Sequence, residues 1–352
     1  MTNALKIFSP AVVAFTIGIL LTPIATHYFY KYKMWRRTNR TDNLPKDISE
    51  RFEKVNDKKA ETSTPRVGGM IIWMSVILTV AVFMIINFFF GTELTEKLSF
   101  ISREQTLLPF FALIVASIIG LGDDFLQIFN KGKWSSDPLV LRYIKIGIIL
   151  ALGLLISLWF YFKLGVTGVY VPWLGFVHLG FLFIPFFIIV MLSLWSSSVI
   201  DGMDGLSGGV LGSIFMSYAI IAFFNNQLNI ATFCGVVAGA IMAFLWFNIP
   251  PARFYMGETG IIGLTVTVAV IAFMTDTVLL LPIIAFPLFV TSLSNVIQIL
   301  SYKLRHGKRV FLLAPLHHHF EALGWPKYKV TMRYWVISIM TSILGVIISL
   351  ID

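Results

Sequence analysis

The feature that most constrains the fold of this chain is a series of about ten long hydrophobic stretches separated by polar connections. Each stretch can cross roughly 30 Å of hydrocarbon as an α-helix, which satisfies its own backbone hydrogen bonds. The stretches lie near residues 7–29, 69–90, 106–122, 142–162, 180–197, 206–224, 230–248, 260–275, 279–300 and 333–351. The sequence therefore predicts an all-α polytopic membrane protein, with one integral membrane domain over residues 1–352.

Composition supports this class and excludes an ordinary soluble domain. The chain is 57% hydrophobic and only 13% charged, and its mean hydropathy is +0.83. Its single cysteine, Cys234, excludes an intramolecular disulfide. The first hydrophobic stretch continues into Tyr30 and Lys31 without a small-residue cleavage site, so we expect it to be a retained helix.

Lysine and arginine are distributed unequally between alternate connections. They are dense in residues 31–67, 123–141 and 301–332, and sparse in residues 91–105, 163–179, 225–229 and 276–278. Cytoplasmic loops carry the excess of positive charge, so this pattern predicts extracytoplasmic termini and cytoplasmic basic loops. The net charge of +9 also suits a surface of anionic lipid headgroups.

One sparse connection has a strand pattern. Residues 165–180, GVTGVYVPWLGFVHLG, alternate Val, Tyr and Trp with turn residues, which predicts a short extracytoplasmic β-hairpin. Tyr170 and Trp173 suit anchoring at the membrane interface.

Acidic side chains occur at the predicted cytoplasmic ends of the spans. Asp123 and Asp124 follow the third span, and two adjacent carboxylates are usually kept ionised by a divalent cation or a basic partner. Glu258 precedes the helix expected from Gly260, where a carboxylate is also an ordinary partner of the helix dipole. A solvated helix end is the structural alternative for Asp123 and Asp124.

Asp201 and Asp204 lie in the connection DGMDG. On a helix their spacing places both carboxylates on one face, whereas the glycines between them allow a tight loop. Either geometry directs two anions to one place, and helix capping is the alternative role.

Three of the six histidines are consecutive, at His317, His318 and His319. Successive residues of a helix project about 100° apart, so the three cannot ligate one metal ion from a regular helix. In an extended segment His317 and His319 would share a side. We interpret the run as a hydrogen-bonding and ring-stacking surface for a polar ligand, with basic residues available for phosphate at Arg305, Lys308 and Arg309.

These motifs converge on one predicted membrane face. The connections that would form it are residues 31–67, 123–141, 198–205, 249–259 and 301–332. Together they predict a carboxylate-lined site, opening sideways to the membrane, for a magnesium-bridged and phosphate-rich soluble ligand.

The same residues carry a family resemblance that covers nearly the whole chain. The matching segments are KKAETSTPRVGG (58–69), GDD (122–124), DGMDGL (201–206), FNIPPARFYMGETG (247–260) and RVFLLAPLHHHFEALGWPKYKV (309–330). With them the chain resembles the polyprenyl-phosphate N-acetylhexosamine-1-phosphate transferases, a ten-helix family with outward termini. Within that family, the motif APLHHHFE resembles the corresponding motif of the members that use a muramoyl-pentapeptide donor.

The chain departs from the family pattern at four positions. Glu258 stands where the family has aspartate, Gln127 where it usually has lysine, and Trp195 and Ser198 where it usually has asparagine. The extra methylene of Glu258 moves a prospective Mg²⁺ ligand by about one bond length, and Mg²⁺ requires near-ideal octahedral geometry.

The resemblance implies a reaction and its partners. UDP-N-acetylmuramoyl-pentapeptide would give its phospho-sugar to undecaprenyl phosphate, forming lipid I and UMP for peptidoglycan synthesis, with Mg²⁺ as cofactor. The implied location is the bacterial inner membrane, as a multi-pass protein with its active site on the cytoplasmic face. Membrane lipids and a second copy of the chain in a homodimer are further expected partners, and nucleic acid is not expected.

The resemblance also implies roles for individual residues. Asp123, Asp124 and Glu258 are the predicted catalytic residues, with Asp123 positioning or deprotonating the lipid phosphate or, alternatively, forming a covalent phospho-aspartate. Predicted Mg²⁺ ligands are Glu258, Asp124, Asp201 and Asp204. Predicted substrate-binding residues are Lys58, Lys59, Lys133, Asp201, Asp204, Asn248, Arg309, His317, His318, His319 and Phe320.

Three other functions remain open from the residues. A sibling transferase would load N-acetylglucosamine-1-phosphate or another amino sugar onto the same lipid, and the PRVGG stretch leaves room for it. A transporter or flippase would also use a ten-helix bundle, but it usually places charges near the bilayer midplane. A non-catalytic scaffold would account for Glu258 and Gln127.

Overall fold

The protein is described here by a computed structural model that covers residues 2–36, 62–101, 105–129 and 138–351. The helices in these residues are α1 (Thr2–Lys31), α2 (Gly69–Phe90), α3 (Glu93–Leu98), α4 (Leu107–Phe129), α5 (Pro138–Leu158), α6 (Phe183–Ser196), α7 (Leu206–Phe224), α8 (Leu228–Asn248), α9 (Gly257–Met274), α10 (Leu281–Ile284), α11 (Phe286–Leu304), α12 (Leu316–Ala322) and α13 (Lys327–Ile351). Two short strands, β1 (Gly168–Val171) and β2 (Gly175–His178), lie between α5 and α6.

The predicted fold class is confirmed. Among the described residues, nine helical segments are long and apolar enough to cross a membrane, and the bent pair Val278–Ile284 and Phe286–Leu304 makes a tenth if it is one span. The chain is therefore an all-α polytopic membrane protein. The predicted outward orientation of both termini stays a prediction.

Three helices in the second half of the chain form the centre of the bundle. An 18-residue stretch of α9 is 89% buried, and those of α8 and α7 are 78% and 72% buried, against 28% in both α1 and α13. A helix that is apolar on every side can be enclosed by other helices in this way. The central position of α9 matters because its first residues carry Glu258.

The predicted span at 279–300 is not one straight helix. Val278–Ile284 and Phe286–Leu304 meet at an angle of 84°. Pro287 follows the break, and proline lacks the N–H needed for a helical hydrogen bond and disfavours the helical conformation in the residue before it. The axis of α11 therefore points away from the axis of the segment Val278–Ile284.

The predicted β-hairpin is present. β1 and β2 are antiparallel, with Val169 opposite Val177 and Tyr170 opposite Phe176. Trp173, in the turn, has a φ of 63° and is 74% exposed. The exposed ring agrees with the predicted role of an interface anchor, which stays a prediction together with the extracytoplasmic location.

The segment before α2 is tied to the connection before α9. Tyr255 N donates to Pro65 O at 2.8 Å, Gly68 N donates to Tyr255 O at 2.9 Å, and Gly69 N donates to Met256 O at 2.8 Å. These backbone hydrogen bonds hold residues 65–69 against the start of α9, and so bring two parts of the chain that are far apart in sequence to one end of the bundle.

Candidate active site

Asp124, near the end of α4, caps helix α9 from outside. Its Oδ1 accepts a hydrogen bond from Glu258 N at 3.1 Å, and its Oδ2 accepts one from Thr259 N at 2.9 Å. The first N–H groups of a helix have no partner within it, and the helix dipole favours a negative charge at that end. The fully buried Asp124 carboxylate thus fixes the position of Glu258.

Asp123 lies beside it in a different environment. Lys145 Nζ donates to Asp123 Oδ2 at 2.5 Å, and Gln127 Nε2 donates to the same oxygen at 2.8 Å. The Arg36 guanidinium in turn donates to Gln127 Oε1. The two adjacent carboxylates therefore have separate partners: backbone amides for Asp124, and two side chains, one cationic, for Asp123.

Asp201 and Asp204 lie in a loop, the second of the two predicted geometries. Asp201 Oδ1 accepts from Ser207 Oγ at 2.7 Å, and Asp201 Oδ2 accepts from Gly257 N at 3.2 Å. Asp204 Oδ2 accepts from Ala252 N at 3.2 Å. Burial raises the pKa of Asp204, and the hydrogen bond from Ala252 opposes that rise.

Glu258 is the point at which these charges converge. It is half-buried in the first turn of α9, and its carboxylate has no hydrogen-bond partner among the residues that the structure describes. Lys145, Asp123, Arg66 and Asp201 all interact with it electrostatically. A carboxylate placed among two cations and two anions without a hydrogen bond of its own is available to a ligand.

Gly257 permits the close approach that creates this arrangement. Its φ is +69°, and a Cβ there would lie 1.9 Å from Arg66 O and 2.7 Å from Asp124 Oδ2. Any larger residue would collide with the backbone of residue 66. The glycine therefore allows Arg66 and Asp124 to lie next to the start of α9.

Asn248 connects two of the site's loops. Its Oδ1 accepts from Gly205 N at 2.9 Å, and its Nδ2 donates to Phe254 O at 2.8 Å. The side chain is buried and links the connection at 201–205 to the connection at 249–256. The structure thus gives Asn248 a positioning function; its predicted contact with substrate stays a prediction.

The three histidines lie on the short helix α12, so the extended alternative does not apply. His317 and His318 are buried, and a Cβ on Gly202 would lie 2.6 Å and 3.0 Å from their respective Nε2 atoms. His318 Nδ1 pairs with Glu321 Oε2 at 2.5 Å. Burial raises the pKa of Glu321 to about 7, against the opposing charge of Lys327. The histidines therefore pack directly on the loop that carries Asp201 and Asp204.

The residues after these two histidines have other partners. His319 Nδ1 accepts from Leu312 N at 3.2 Å, and Phe320 stacks on Trp325 with ring centroids 4.9 Å apart. The guanidinium of Arg333 lies 4.1 Å from the Trp325 ring centroid. Arg309 is half-buried in the connection before α12.

Several predicted residues are not brought into this cluster. Lys58, Lys59 and Lys133 lie outside the described residues. Within the described ranges, no group of three or more His, Cys, Asp or Glu side chains is already arranged around a cation position. The predicted metal ligands stay predictions.

Sequence reasoning missed two cations and one hydroxyl of the site. Lys145 falls inside the predicted span 142–162, and a charge within a span is itself a functional signal that was available. Arg66 is one of many basic residues in the connection 31–67, and the sequence does not distinguish it from the charges that set the topology. Ser207, which binds Asp201, gave no signal that distinguishes it from other serines.

Trp195 and Ser198, two of the positions that depart from the family pattern, have structural contacts. Trp195 packs against the hydrophobic core, and its buried Nε1 has no hydrogen-bond partner among the described residues. Ser198 O accepts a hydrogen bond from Asp201 N at 3.1 Å. The backbone of Ser198 thus helps to shape the loop of Asp201.

An apolar groove runs beside the site between α6 and the bent pair α10 and α11. Its volume is about 410 Å³. Its lining includes Phe186, Ile189, Leu281, Leu288 and Phe289. The serines Ser193, Ser196 and Ser197 also line it, and Asp201 follows Ser197 by four positions in the chain. The serine-lined end of the groove is therefore close in the chain to the loop that carries Asp201.

Comparison with known proteins identifies the family of the chain. Residues 106–276 match the Glycosyl transferase family 4 model. The chain is 32% identical over 347 residues to a phospho-N-acetylmuramoyl-pentapeptide-transferase of Geobacillus sp. (strain WCH70), covering 96% of each chain, and 32% identical over 343 residues to that of Bacillus subtilis (strain 168), covering 95% of each. The relative in Clostridium novyi (strain NT) is 30% identical over 349 residues, or 97% of this chain and 96% of its own. The resemblance is thus confirmed, and the chain belongs to the phospho-N-acetylmuramoyl-pentapeptide-transferase family.

Proposed function

We propose that this multi-pass bacterial membrane protein transfers phospho-N-acetylmuramoyl-pentapeptide from its UDP conjugate to undecaprenyl phosphate, giving lipid I and UMP. The observation that carries the proposal is the meeting of Asp123, Asp124, Asp201 and Glu258 with Lys145 at one end of the bundle. The relatives' names supply the substrate class. Phosphoryl transfer depends mainly on positioning and on neutralising charge, which is what this arrangement offers.

In the proposed reaction, an oxygen of the lipid phosphate attacks the phosphorus that bears the sugar. The bond from that phosphorus to the bridging oxygen breaks, and UMP leaves with the electron pair. A phosphate monoester is already largely doubly ionised at neutral pH, since its second pKa is about 6. A strong general base is therefore not required.

Asp123 is the proposed residue that positions the lipid phosphate. Lys145 and Gln127 hold its Oδ2 in place, so its carboxylate cannot rotate freely. Lys145 also brings a positive charge next to the incoming phosphate. A covalent phospho-aspartate on Asp123 is the alternative route, and a burst of UMP without lipid acceptor would identify it.

Mg²⁺ is the proposed cofactor, and the residues present fit it. The donors are hard carboxylate oxygens, and Glu258 is free of hydrogen bonds among the described residues. Asp124, Asp201 and Asp204 accept backbone hydrogen bonds, but a carboxylate has about four lone-pair positions, so each can still contribute. When bound, the ion would neutralise charge on the diphosphate. Glu258 would be its principal ligand.

The donor would lie against the histidine helix. His317 and His318 pack on the loop of Asp201, so a sugar-diphosphate near Asp201 would meet them or the adjoining His319 and Phe320. Other predicted substrate-binding residues keep that role in the proposal: Lys58, Lys59, Lys133, Asp204, Asn248 and Arg309.

The polyprenyl chain of the acceptor would lie in the apolar groove between α6 and α11. The groove is lined mainly by hydrocarbon side chains, and its serine-bearing end adjoins the loop of Asp201. A lipid placed there would present its phosphate toward the carboxylates. This arrangement requires the site to face the cytoplasm across the inner membrane, as the distribution of lysine and arginine predicts.

Purified protein in detergent tests the proposal. We expect UMP release that requires undecaprenyl phosphate and UDP-N-acetylmuramoyl-pentapeptide, that stops when EDTA removes Mg²⁺, and that Asp123→Ala abolishes. UDP-N-acetylglucosamine is the matched donor control. Release from that donor alone would assign the sibling reaction, and no release from either donor by folded protein would refute a transferase function.

A further inference from the structure

Arg66 is a buried arginine near the carboxylates of Asp124 and Glu258. Its side chain and backbone together are only 6% exposed, and its Nε has no hydrogen-bond partner among the described residues. Burying a guanidinium is costly unless an anion and hydrogen bonds compensate for the lost water. Arg66 therefore retains an unused hydrogen-bond donor inside the described part of the protein.

The two carboxylates near Arg66 do not supply that compensation by hydrogen bonding. Arg66 interacts electrostatically with Asp124 and with Glu258. Both oxygens of Asp124, however, are held by backbone N–H groups of α9. Glu258 has no hydrogen-bond partner in the described part of the chain. The guanidinium therefore interacts electrostatically with both carboxylates, yet its Nε has no hydrogen-bond acceptor among the described residues.

The backbone that carries Arg66 is fixed on both sides. Arg66 N donates to Met34 O at 2.9 Å. Its neighbours are bonded to Tyr255, through Pro65 O at 2.8 Å and Gly68 N at 2.9 Å. Gly257 lies against Arg66 O with no room for a side chain. These contacts fix the backbone of Arg66 beside the start of α9, and a preorganised position favours stabilisation of charge in a transition state.

We propose that Arg66 binds a phosphate oxyanion of a substrate beside Glu258. A guanidinium presents a planar fork of donors that matches phosphate oxygens, and it stays charged at any physiological pH. The proposal rests on the proposed function for the identity of the reaction. The phosphate belongs either to the nucleotide donor or to the lipid acceptor, and both present the same oxyanion.

Nucleotide binding to Arg66→Gln tests this directly. Equilibrium dialysis of radiolabelled uridine, UMP and UDP against protein in detergent with Mg²⁺ separates binding of the base from binding of phosphate. If the donor phosphate is the ligand, we expect uridine binding to be unchanged and UDP binding to weaken by about 10- to 100-fold. Lys163→Gln is the control: Lys163 is an exposed cation between α5 and β1, outside the site, and we expect no change.

The KM values identify the source of the phosphate. A rise in the KM for UDP-N-acetylmuramoyl-pentapeptide assigns Arg66 to the donor, and a rise in the KM for undecaprenyl phosphate alone, with UDP binding intact, assigns it to the acceptor. Equal weakening of uridine and UDP would mean that Arg66 only shapes the site. That result, or no change in any of these quantities, would overturn the proposal.

A second variant covers the case in which Arg66→Gln does not fold. Arg66→Lys keeps the charge but loses the fork, and we expect a smaller loss that still grows with the number of phosphates. Equal losses for uridine and UDP would again overturn the proposal. If UDP binding depends on Arg66 but the wild type releases no UMP, the proposed function is refuted and Arg66 remains a phosphate site. If the wild type is active and Arg66→Gln is unaffected, the proposed function stands and the role of Arg66 is refuted.

Discussion

The site has two sides that are built by different physical means. On the carboxylate side, Asp124 and Asp201 are held by backbone N–H groups at the start of α9. On the histidine side, His318 is held by one buried side-chain pair with Glu321. Backbone amides do not titrate, whereas a carboxyl and an imidazole do. The carboxylate side therefore offers its acids donors that keep their protons at every pH, whereas the contact on the histidine side depends on which member of one side-chain pair carries a proton.

Removing Asp124 would break the carboxylate side most completely. In Asp124→Ala, the buried N–H groups of Glu258 and Thr259 lose their acceptors, so we expect the free energy of unfolding to fall by roughly 2–4 kcal/mol and activity to be lost. SDS unfolding followed by circular dichroism measures the first effect, and UMP release measures the second. Asp276→Asn, at an exposed turn outside the site whose left-handed backbone asparagine tolerates, is the control. A fully stable but inactive Asp124→Ala would assign Asp124 to the chemistry instead of to capping.

Substitution of Glu258 should lower activity without lowering stability. Because no hydrogen bond in the described part of the chain depends on its carboxylate, we expect Glu258→Gln to change the free energy of unfolding by less than about 0.5 kcal/mol. We expect its rate of UMP release to fall by at least about 100-fold, since the principal Mg²⁺ ligand is weakened. Glu258→Asp should retain activity with an altered Mg²⁺ requirement. A large loss of stability in Glu258→Gln would show that the residue is structural.

Glu321 tests the pH dependence of the histidine side. Burial raises its pKa from 4.5 to about 7, so the folded state holds a proton that the unfolded state has released. Its contribution to stability is therefore present below pH 4.5 and is lost as the pH rises through about 7. His318 and Lys327 face the carboxyl, at 2.5 Å and 3.9 Å. In Glu321→Gln this pH-dependent loss of roughly 2 kcal/mol should disappear. Parallel unfolding curves of the two proteins from pH 5 to 8 would contradict this.

Two glutamines give the smallest and most selective comparison. Gln127→Leu breaks the link between Arg36 and Asp123, and we expect kcat to fall about three- to tenfold without loss of stability. Gln298 instead accepts from Val310 N and Phe311 N in the connection before α12. Gln298→Leu should lower the unfolding temperature with little effect on the binding of Mg²⁺. The same response in both variants would mean that the two sides are not independent.

Much of the fold follows from local sequence patterns. The spans, the β-hairpin and the polar ends of the helices were predictable because hydrophobicity and turn residues act over short distances. The bend at Ala285 was partly visible in Pro287, but a proline in a membrane helix can be accommodated with or without a large angle. The helical state of His317–His319 was left open by the sequence, and packing against Gly202 accompanies the form that is adopted.

The sequence by itself determined that this chain is a bundle of membrane helices with acidic, basic and histidine-rich motifs at one end, because water and hydrocarbon sort residues by their own chemistry. Only the tertiary structure decided that Asp124 caps α9, that Lys145 pairs with Asp123, and that Arg66 lies buried beside Glu258. Those relations join residues up to 192 positions apart, as 258 and 66 are. They depend on how helices pack, which no local pattern encodes.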